Sequence, residues 1–98
     1  MPQVKLLFTR LAESDLEGIL QYISEHRPLT ARSAVSRIRE KCELIATHPE
    51  MGQRRPEFHG DYRSFPVERW VIFYRITQDA VEVHRIIDGA RDIDSLLG

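Results

Sequence analysis

The apolar residues of this chain change their spacing halfway along it, and this change constrains the fold more than any other feature. In the first half they recur every three or four residues, which is typical of amphipathic helices. In the second half they form short β-branched and aromatic runs separated by turn residues, which is typical of strands. A chain of 98 residues has room for one domain. We therefore expect a single domain over residues 1–98, in which helices and strands pack on one another.

Two helices are predicted directly after a short first strand at residues 4–8. Thr9 is placed to cap the first helix, whose apolar stripe is Ala12, Leu16, Ile19, Leu20 and Ile23. His26-Arg27-Pro28 ends this helix, because the residue before a proline avoids the α conformation. The second helix carries a stripe of Ala31, Val35, Ile38, Cys42 and Ile45 and ends at His48-Pro49. So short a connection predicts an antiparallel helical hairpin.

Three strands follow a predicted loop at residues 51–60. They cover residues 62–67, 70–76 and 80–87, and their short connections indicate an antiparallel meander. Pro66 indicates an edge position or an early end for the first of them. Asp92 is placed to cap a short C-terminal turn of helix. The predicted fold class is α+β, in the order β-α-α-β-β-β, with the helical hairpin on one face of a small, mainly antiparallel sheet.

Composition argues against several classes of function, although the net charge says little about how the charges cluster. The net charge is −1, whereas nucleic-acid binders usually carry a basic excess. The single cysteine, Cys42, cannot form an intramolecular disulfide, and it and the four histidines lack metal-site spacing. The sequence has no signal-peptide pattern and no apolar run of membrane-spanning length. We therefore expect a cytoplasmic protein without cofactor, metal or membrane contact.

Motifs spread over nearly the whole chain resemble one family. They are His-Pro-Glu-Met-Gly at residues 48–52, Tyr-Arg at 62–63, Val-Ile-Phe-Tyr-Arg at 71–75 and the run at 83–92, together with the helix opening at 12–19. In this order and at this spacing they resemble the ParE branch of the ParE/RelE toxin superfamily. One departure is Asp88, which stands where that branch usually has histidine.

The resemblance implies the toxin half of a type II toxin–antitoxin pair, held inactive by a cognate antitoxin. The ParE branch is known for poisoning DNA gyrase without a recognised active site, whereas RelE-type relatives cut messenger RNA on the ribosome. We therefore expect gyrase and an antitoxin as partners, and no sequence-specific DNA binding without the antitoxin. The alternatives are a ribosome-dependent messenger RNase and a degenerate toxin that keeps only antitoxin binding.

The residues that RelE-type nucleases use are only partly present. Arg63 and Arg91 match two of the basic positions, but Phe65, Val71 and Leu97 fall where further basic or aromatic groups are needed. These three side chains cannot transfer a proton, and one general acid or base contributes roughly 10²–10⁴-fold to a rate. His84 lies on a predicted strand, with nothing to place it beside either arginine. We expect no catalytic residues and no enzyme activity.

The arginines of the second half are the candidates for target binding. A cationic patch at the sheet edge and C-terminus suits an acidic protein surface, and its candidate residues are Arg63, Arg85, Arg91 and Asp92. The alternative is that Arg85 and Arg91 pair with nearby aspartates such as Asp88 and only fasten the C-terminus. For the antitoxin, we expect an apolar groove that takes an amphipathic helix, with Leu11, Leu20, Tyr22 and Leu44 at its lip. The alternative there is that these side chains are ordinary core margin.

Overall fold

Two helices lie against one face of a five-stranded sheet in the computed structural model, which describes residues 5–90. The elements in chain order are β1 (Lys5–Phe8), α1 (Arg10–His26), α2 (Ala31–Thr47), a 3₁₀ turn (Pro49–Met51), β2 (Gln53–Arg55), β3 (Tyr62–Val67), β4 (Trp70–Ile76) and β5 (Ala80–Asp88). The helical hairpin and the α+β class are confirmed. The predicted C-terminal helical turn, with its cap Asp92, lies outside the described residues.

The sheet has the strand order β1-β5-β4-β3-β2. β3, β4 and β5 form the predicted antiparallel meander, and β1 joins β5 in parallel. A parallel neighbour needs a crossover connection, which the helical hairpin and the following strands supply. The first strand of the chain therefore becomes an outer strand beside the last one.

The prediction of a loop at residues 51–60 was wrong for its first half. The 3₁₀ turn includes Met51, and β2 pairs with β3 from Gln53↔Ser64 to Arg55↔Tyr62. A polar three-residue strand carries no alternating signal, because it is fixed by backbone pairing rather than by burial. The edge prediction for Pro66 was confirmed, since β2 stops at Ser64 and leaves Pro66 with β4 as its only neighbour.

The main core lies between the helices and the sheet. Its most buried members are Ala12, Leu16, Ile38, Cys42, Ile45, Ile72, Tyr74, Val81, Val83 and Ile86. Thr9 caps α1 as predicted, with its hydroxyl oxygen accepting from the amide of Ala12 at 3.1 Å. A smaller cluster of Phe58, Phe73 and Ile87 covers part of the opposite, helix-free face. Neither helix of the described residues is long and apolar enough to cross a bilayer.

Candidate functional site

A β-bulge in β5 decides which side chains reach each face of the sheet. Phe73 is paired with Arg85, but the next residue of β4, Tyr74, is paired with Val83, so His84 is the extra residue. Thr9 holds this bulge from the start of α1: its hydroxyl donates to the carbonyl of His84 at 2.7 Å. The bulge thus lies where β1 ends and α1 begins.

Arg85 emerges from the bulge into an ion pair with Asp15 of α1. Its Nε and Nη2 donate to the two carboxylate oxygens at 2.8 and 3.0 Å, and Asp15 Oδ2 also accepts from the amide of Ile86 at 2.9 Å. Both side chains are only about 15% exposed. The hydrogen bond to Asp15 raises the pKa of Arg85. Arg85 therefore fastens α1 to β5, and its charge is already neutralised.

Arg63 lies on β3 and holds a different part of the molecule. Its Nη1 donates to the carbonyl oxygens of Glu50 and Gly52 at 3.3 and 3.1 Å, which links it to the 3₁₀ turn. No carboxylate of the described residues pairs with it, so its positive charge is uncompensated there. The two described candidates for target binding, Arg63 and Arg85, lie on strands separated by β4 and share no contact partner. Arg91 and Asp92 lie outside the described residues, so the proposed patch stays a prediction.

The helix-free face of the sheet carries cationic groups that sequence reasoning did not bring together. Arg55 lies over the rings of Phe58 and Phe73, 5.2 and 5.5 Å from their centroids, and its Nη1 donates to Ser64 Oγ at 3.2 Å. Its Nε donates to Glu57 at 2.8 Å. The guanidinium is thus held between aromatic rings and polar groups.

Tyr62 and His84 meet beside Arg55 on this helix-free face. Their ring centroids are 5.1 Å apart, and Arg75 lies over the Tyr62 ring at 5.9 Å while its Nε donates to Glu82 at 3.1 Å. Nδ1 of His84 is buried without a hydrogen-bond partner. Burial lowers the pKa of His84. Strand alternation places Glu82 and His84 on one face, but which strands are neighbours, and so which rings meet, depends on the sheet order.

The positions compared with RelE-type nucleases do not share one face. Phe65 packs against the main core on the helix side, and Arg63 has the same strand parity. Val71 packs against the smaller cluster on the other side. Within the described residues, these three positions therefore cannot form one constellation around a phosphate.

The four candidates for the antitoxin groove are all partly exposed and lie on more than one flank of the helices, so the groove stays a prediction. The exposures are 52% for Leu11, 36% for Leu20, 45% for Tyr22 and 40% for Leu44. Leu11 and Tyr22 are eleven residues apart and share one flank of α1, whereas Leu20 lies about half a turn away. Leu44 faces β3, in a cleft with Phe65, Pro66 and Val67.

Tyr22 lines two depressions on the helix side. Arg69 lies over the rings of Tyr22 and Trp70, 5.6 and 5.1 Å from their centroids, and is hydrogen-bonded to Asp88. Two clefts of about 420 and 400 Å³ flank this stack, one toward the start of α2 and one toward β5. Asp88, the departure from the family pattern, thus helps to hold Arg69 in place.

Residues 5–90 hold no group of three side chains suited to bind a metal ion. Cys42 is fully buried, and burial raises the pKa of its thiol to about 12. A thiol with so high a pKa stays protonated at neutral pH and is inert as a nucleophile.

The helical hairpin on a mixed sheet is a fold that this chain shares with a solved structure of a toxin–antitoxin system. The family model described as the ParE toxin of type II toxin–antitoxin systems (parDE) matches residues 6–93. The chain belongs to this ParE toxin family.

Of three similar proteins, two carry the ParE or ParDE name and one is a RelE toxin. The toxin ParE3 of Caulobacter vibrioides is 26% identical over 95 residues, which cover 96% of this chain and 95% of that protein. The toxin RelE3 of the same organism is 30% identical over 76 residues, or 76% of this chain and 83% of that protein. A solved structure of the chromosomal ParDE system from P. aeruginosa superposes with a TM-score of 0.78 at 25% identity, covering 90% of this chain and 98% of that one.

Proposed function

We propose that this toxin acts by binding DNA gyrase rather than by catalysis, and that a cognate antitoxin neutralises it by covering its surface. The gyrase assignment is supported by membership of the ParE family, since the ParE branch is known for poisoning that enzyme. The antitoxin is supported by the similarity to a solved ParDE system.

The proposal that the toxin is not a nuclease rests on one observation: Arg63 and Phe65 lie on the helix side of the sheet, whereas Val71 lies on the other side. Cleavage of RNA by its 2′-hydroxyl needs an acid, a base and cations around one phosphate. Of the histidines in residues 5–90, His84 alone lies on a strand, and its buried Nδ1 has no group to fix the tautomer. A general base is ordinarily oriented by such a third group.

The gyrase claim is tested with purified toxin in a supercoiling assay. We expect the toxin to block supercoiling or to trap cleaved DNA, and the same toxin mixed beforehand with its antitoxin to do neither. Plasmid topology after induction in cells checks the result in vivo. If supercoiling proceeds normally and no cleaved DNA accumulates, the gyrase target is wrong.

The antitoxin claim is tested by co-expression. We expect the product of the neighbouring reading frame to restore the growth that the toxin alone arrests, and to copurify with it. A neighbouring product that neither rescues growth nor binds would contradict this part of the proposal. Harmless overexpression of the toxin alone would instead favour a degenerate toxin that keeps only antitoxin binding.

A second candidate function is ribosome-dependent cleavage of messenger RNA. It is favoured by the 30% identity to RelE3 and by the grouping of Tyr62, His84 and Arg75 on the helix-free face. A translating extract separates the two functions. Cuts in the ribosomal A site that disappear in an Arg63→Ala, Arg91→Ala double variant or in His84→Ala would establish the nuclease and overturn the non-catalytic proposal.

A further inference from the structure

The outer edge of β1 carries backbone groups that pair with nothing in residues 5–90. The amides of Lys5 and Thr9 donate to the carbonyls of Asp79 and Val83, at 3.2 and 3.0 Å, so the odd-numbered residues face β5. In a parallel ladder the alternate residues point the other way. The N–H and C=O groups of Leu6 and Phe8 are therefore directed away from the sheet.

The rest of the sheet edge on this side is closed by α1. Past the end of β1, the carbonyl of His84 accepts from the Thr9 hydroxyl, and the amide of Ile86 donates to Asp15. Side chains of the helix thus take the place that a longer β1 would occupy. The open edge is limited to the four residues of β1.

The opposite edge of the sheet has features that discourage strand addition. β2 is three residues long and contains the adjacent cations Arg54 and Arg55. Beyond it, β3 presents Pro66, which has no amide hydrogen to donate. Short length, charge and proline are common protections of an exposed strand. Within the described residues, β1 alone combines unpaired backbone groups with an apolar sequence that contains no proline.

The surroundings of β1 indicate the chemistry of a partner. Leu7 is 48% exposed on the helix-free face, and Leu11, four residues further on, is 52% exposed. Lys5 at the start of β1 and Arg10 just beyond its end have no ion-pair partner in residues 5–90. An extended segment with apolar side chains between acidic ones fits this arrangement.

We propose that an extended acidic–apolar segment of the antitoxin adds to β1 as a sixth strand. The inference rests on the proposed antitoxin partner and names the part of the toxin surface that such a segment occupies. Main-chain hydrogen bonds to Leu6 and Phe8 supply affinity, and contact with Leu7 supplies specificity. A second copy of this chain fits less well, because pairing two β1 strands would bring the cations Lys5 and Arg10 of both copies together.

Amide hydrogen exchange tests the proposal without any substitution. The probe is the product of the neighbouring reading frame, copurified with the full toxin. We expect the amides of Leu6 and Phe8 to exchange rapidly in the free toxin and at least about tenfold more slowly in the complex. The amide of Lys5, which is already bonded to Asp79, serves as the internal reference.

A matched pair of variants gives the second measurement. Leu7→Glu places a negative charge against the acidic segment, and we expect the dissociation constant of the complex to rise about tenfold or more. Ile76→Glu changes a similarly exposed side chain, at 43%, two strands away from β1, and we expect the dissociation constant to stay within about threefold.

The outcomes are distinguishable. Tight binding of the antitoxin with no slowing at Leu6 and Phe8, and with Leu7→Glu equal to Ile76→Glu, would overturn the edge proposal and leave the antitoxin proposal standing. A neighbouring product that does not bind would overturn both. Slow exchange at Leu6 and Phe8 that grows with toxin concentration before antitoxin is added would assign the edge to a second copy of the chain.

Discussion

Asp15 and Arg85 are joined by two hydrogen bonds across 70 residues of sequence, and the same carboxylate accepts the amide of Ile86. Asp15 of α1 therefore neutralises Arg85, which follows the bulge of β5. The same carboxylate also occupies the edge of that strand at Ile86. Arg85, which the sequence analysis named as a candidate for target binding, is therefore paired within the toxin itself.

Replacing Asp15 is expected to destabilise the toxin severely. Asp15→Ala leaves a mostly buried guanidinium and a strand amide without their acceptor, which should cost about 3 kcal/mol of unfolding free energy. Asp15→Asn, which keeps an acceptor oxygen and loses the charge, should cost less. Glu17→Ala, an exposed position of the same helix, is the control, and urea unfolding measures all three. Equal stability of Asp15→Ala and Glu17→Ala would contradict a structural role for the pair.

The stability of the toxin should depend on pH through His84. Burial lowers the pKa of His84 below its ordinary value of 6.5; the charges of Arg75 and Arg85 act in the same direction, and those of Glu82 and Asp15 oppose it. The unfolded chain then binds a proton more readily than the folded one, so stability is complete above pH 6.5 and declines as the pH falls below it. Urea unfolding between about pH 5.5 and 7.5 measures this decline.

The variant His84→Gln should show a smaller loss of stability over that pH range than the wild-type toxin. His59→Gln, in an exposed loop, is the matched control and should keep the wild-type slope. A His84→Gln variant with an unchanged slope would show that His84 does not cause the decline.

Two glycines should respond oppositely to alanine. A Cβ added at Gly52 would lie 2.8 Å from Cε1 of Tyr74 and closer still to its hydroxyl oxygen, which accepts from the Gly52 amide and donates to the carbonyl of Pro49. Gly52→Ala should therefore cost about 1–3 kcal/mol of unfolding free energy.

A Cβ added at Gly18, inside α1, would meet no atom of another element within 4 Å, so Gly18→Ala should add about 0.5–1 kcal/mol to the unfolding free energy. Thermal unfolding measures both, and a stabilised Gly52→Ala would contradict the close approach.

Arg63 should matter for toxicity more than for folding. Its guanidinium donates to two carbonyl oxygens without a carboxylate partner in residues 5–90, so Arg63→Ala should cost only about 1 kcal/mol of stability. We expect the variant to arrest growth much less than the wild type when both accumulate equally. Arg32→Ala, an exposed position on α2, is the control for loss of one positive charge. Full growth arrest by Arg63→Ala would remove Arg63 from the candidate target contacts.

The helices and the meander could be predicted from sequence because their signals are local. Thr9 caps α1, the apolar stripes of both helices face the core, and the proline after each helix ends it, all within a few neighbouring residues. The same local motifs carried the resemblance to ParE toxins. Groove residues were less predictable: exposure at Leu11, Leu20, Tyr22 and Leu44 follows from the helix pattern, but their distribution over separate surfaces depends on how the helices lie on the sheet.

What the sequence by itself determined was the two helices, four of the strands, their order along the chain and the family. Only the tertiary structure decided that β1 lies parallel to β5, that Gln53–Arg55 forms a strand, that His84 is the extra residue of a bulge and that Arg85 reaches Asp15. The physical reason is one of range. Helix caps and apolar periodicity depend on residues within about one turn of each other, whereas strand register, bulges and ion pairs depend on packing between segments far apart in the chain.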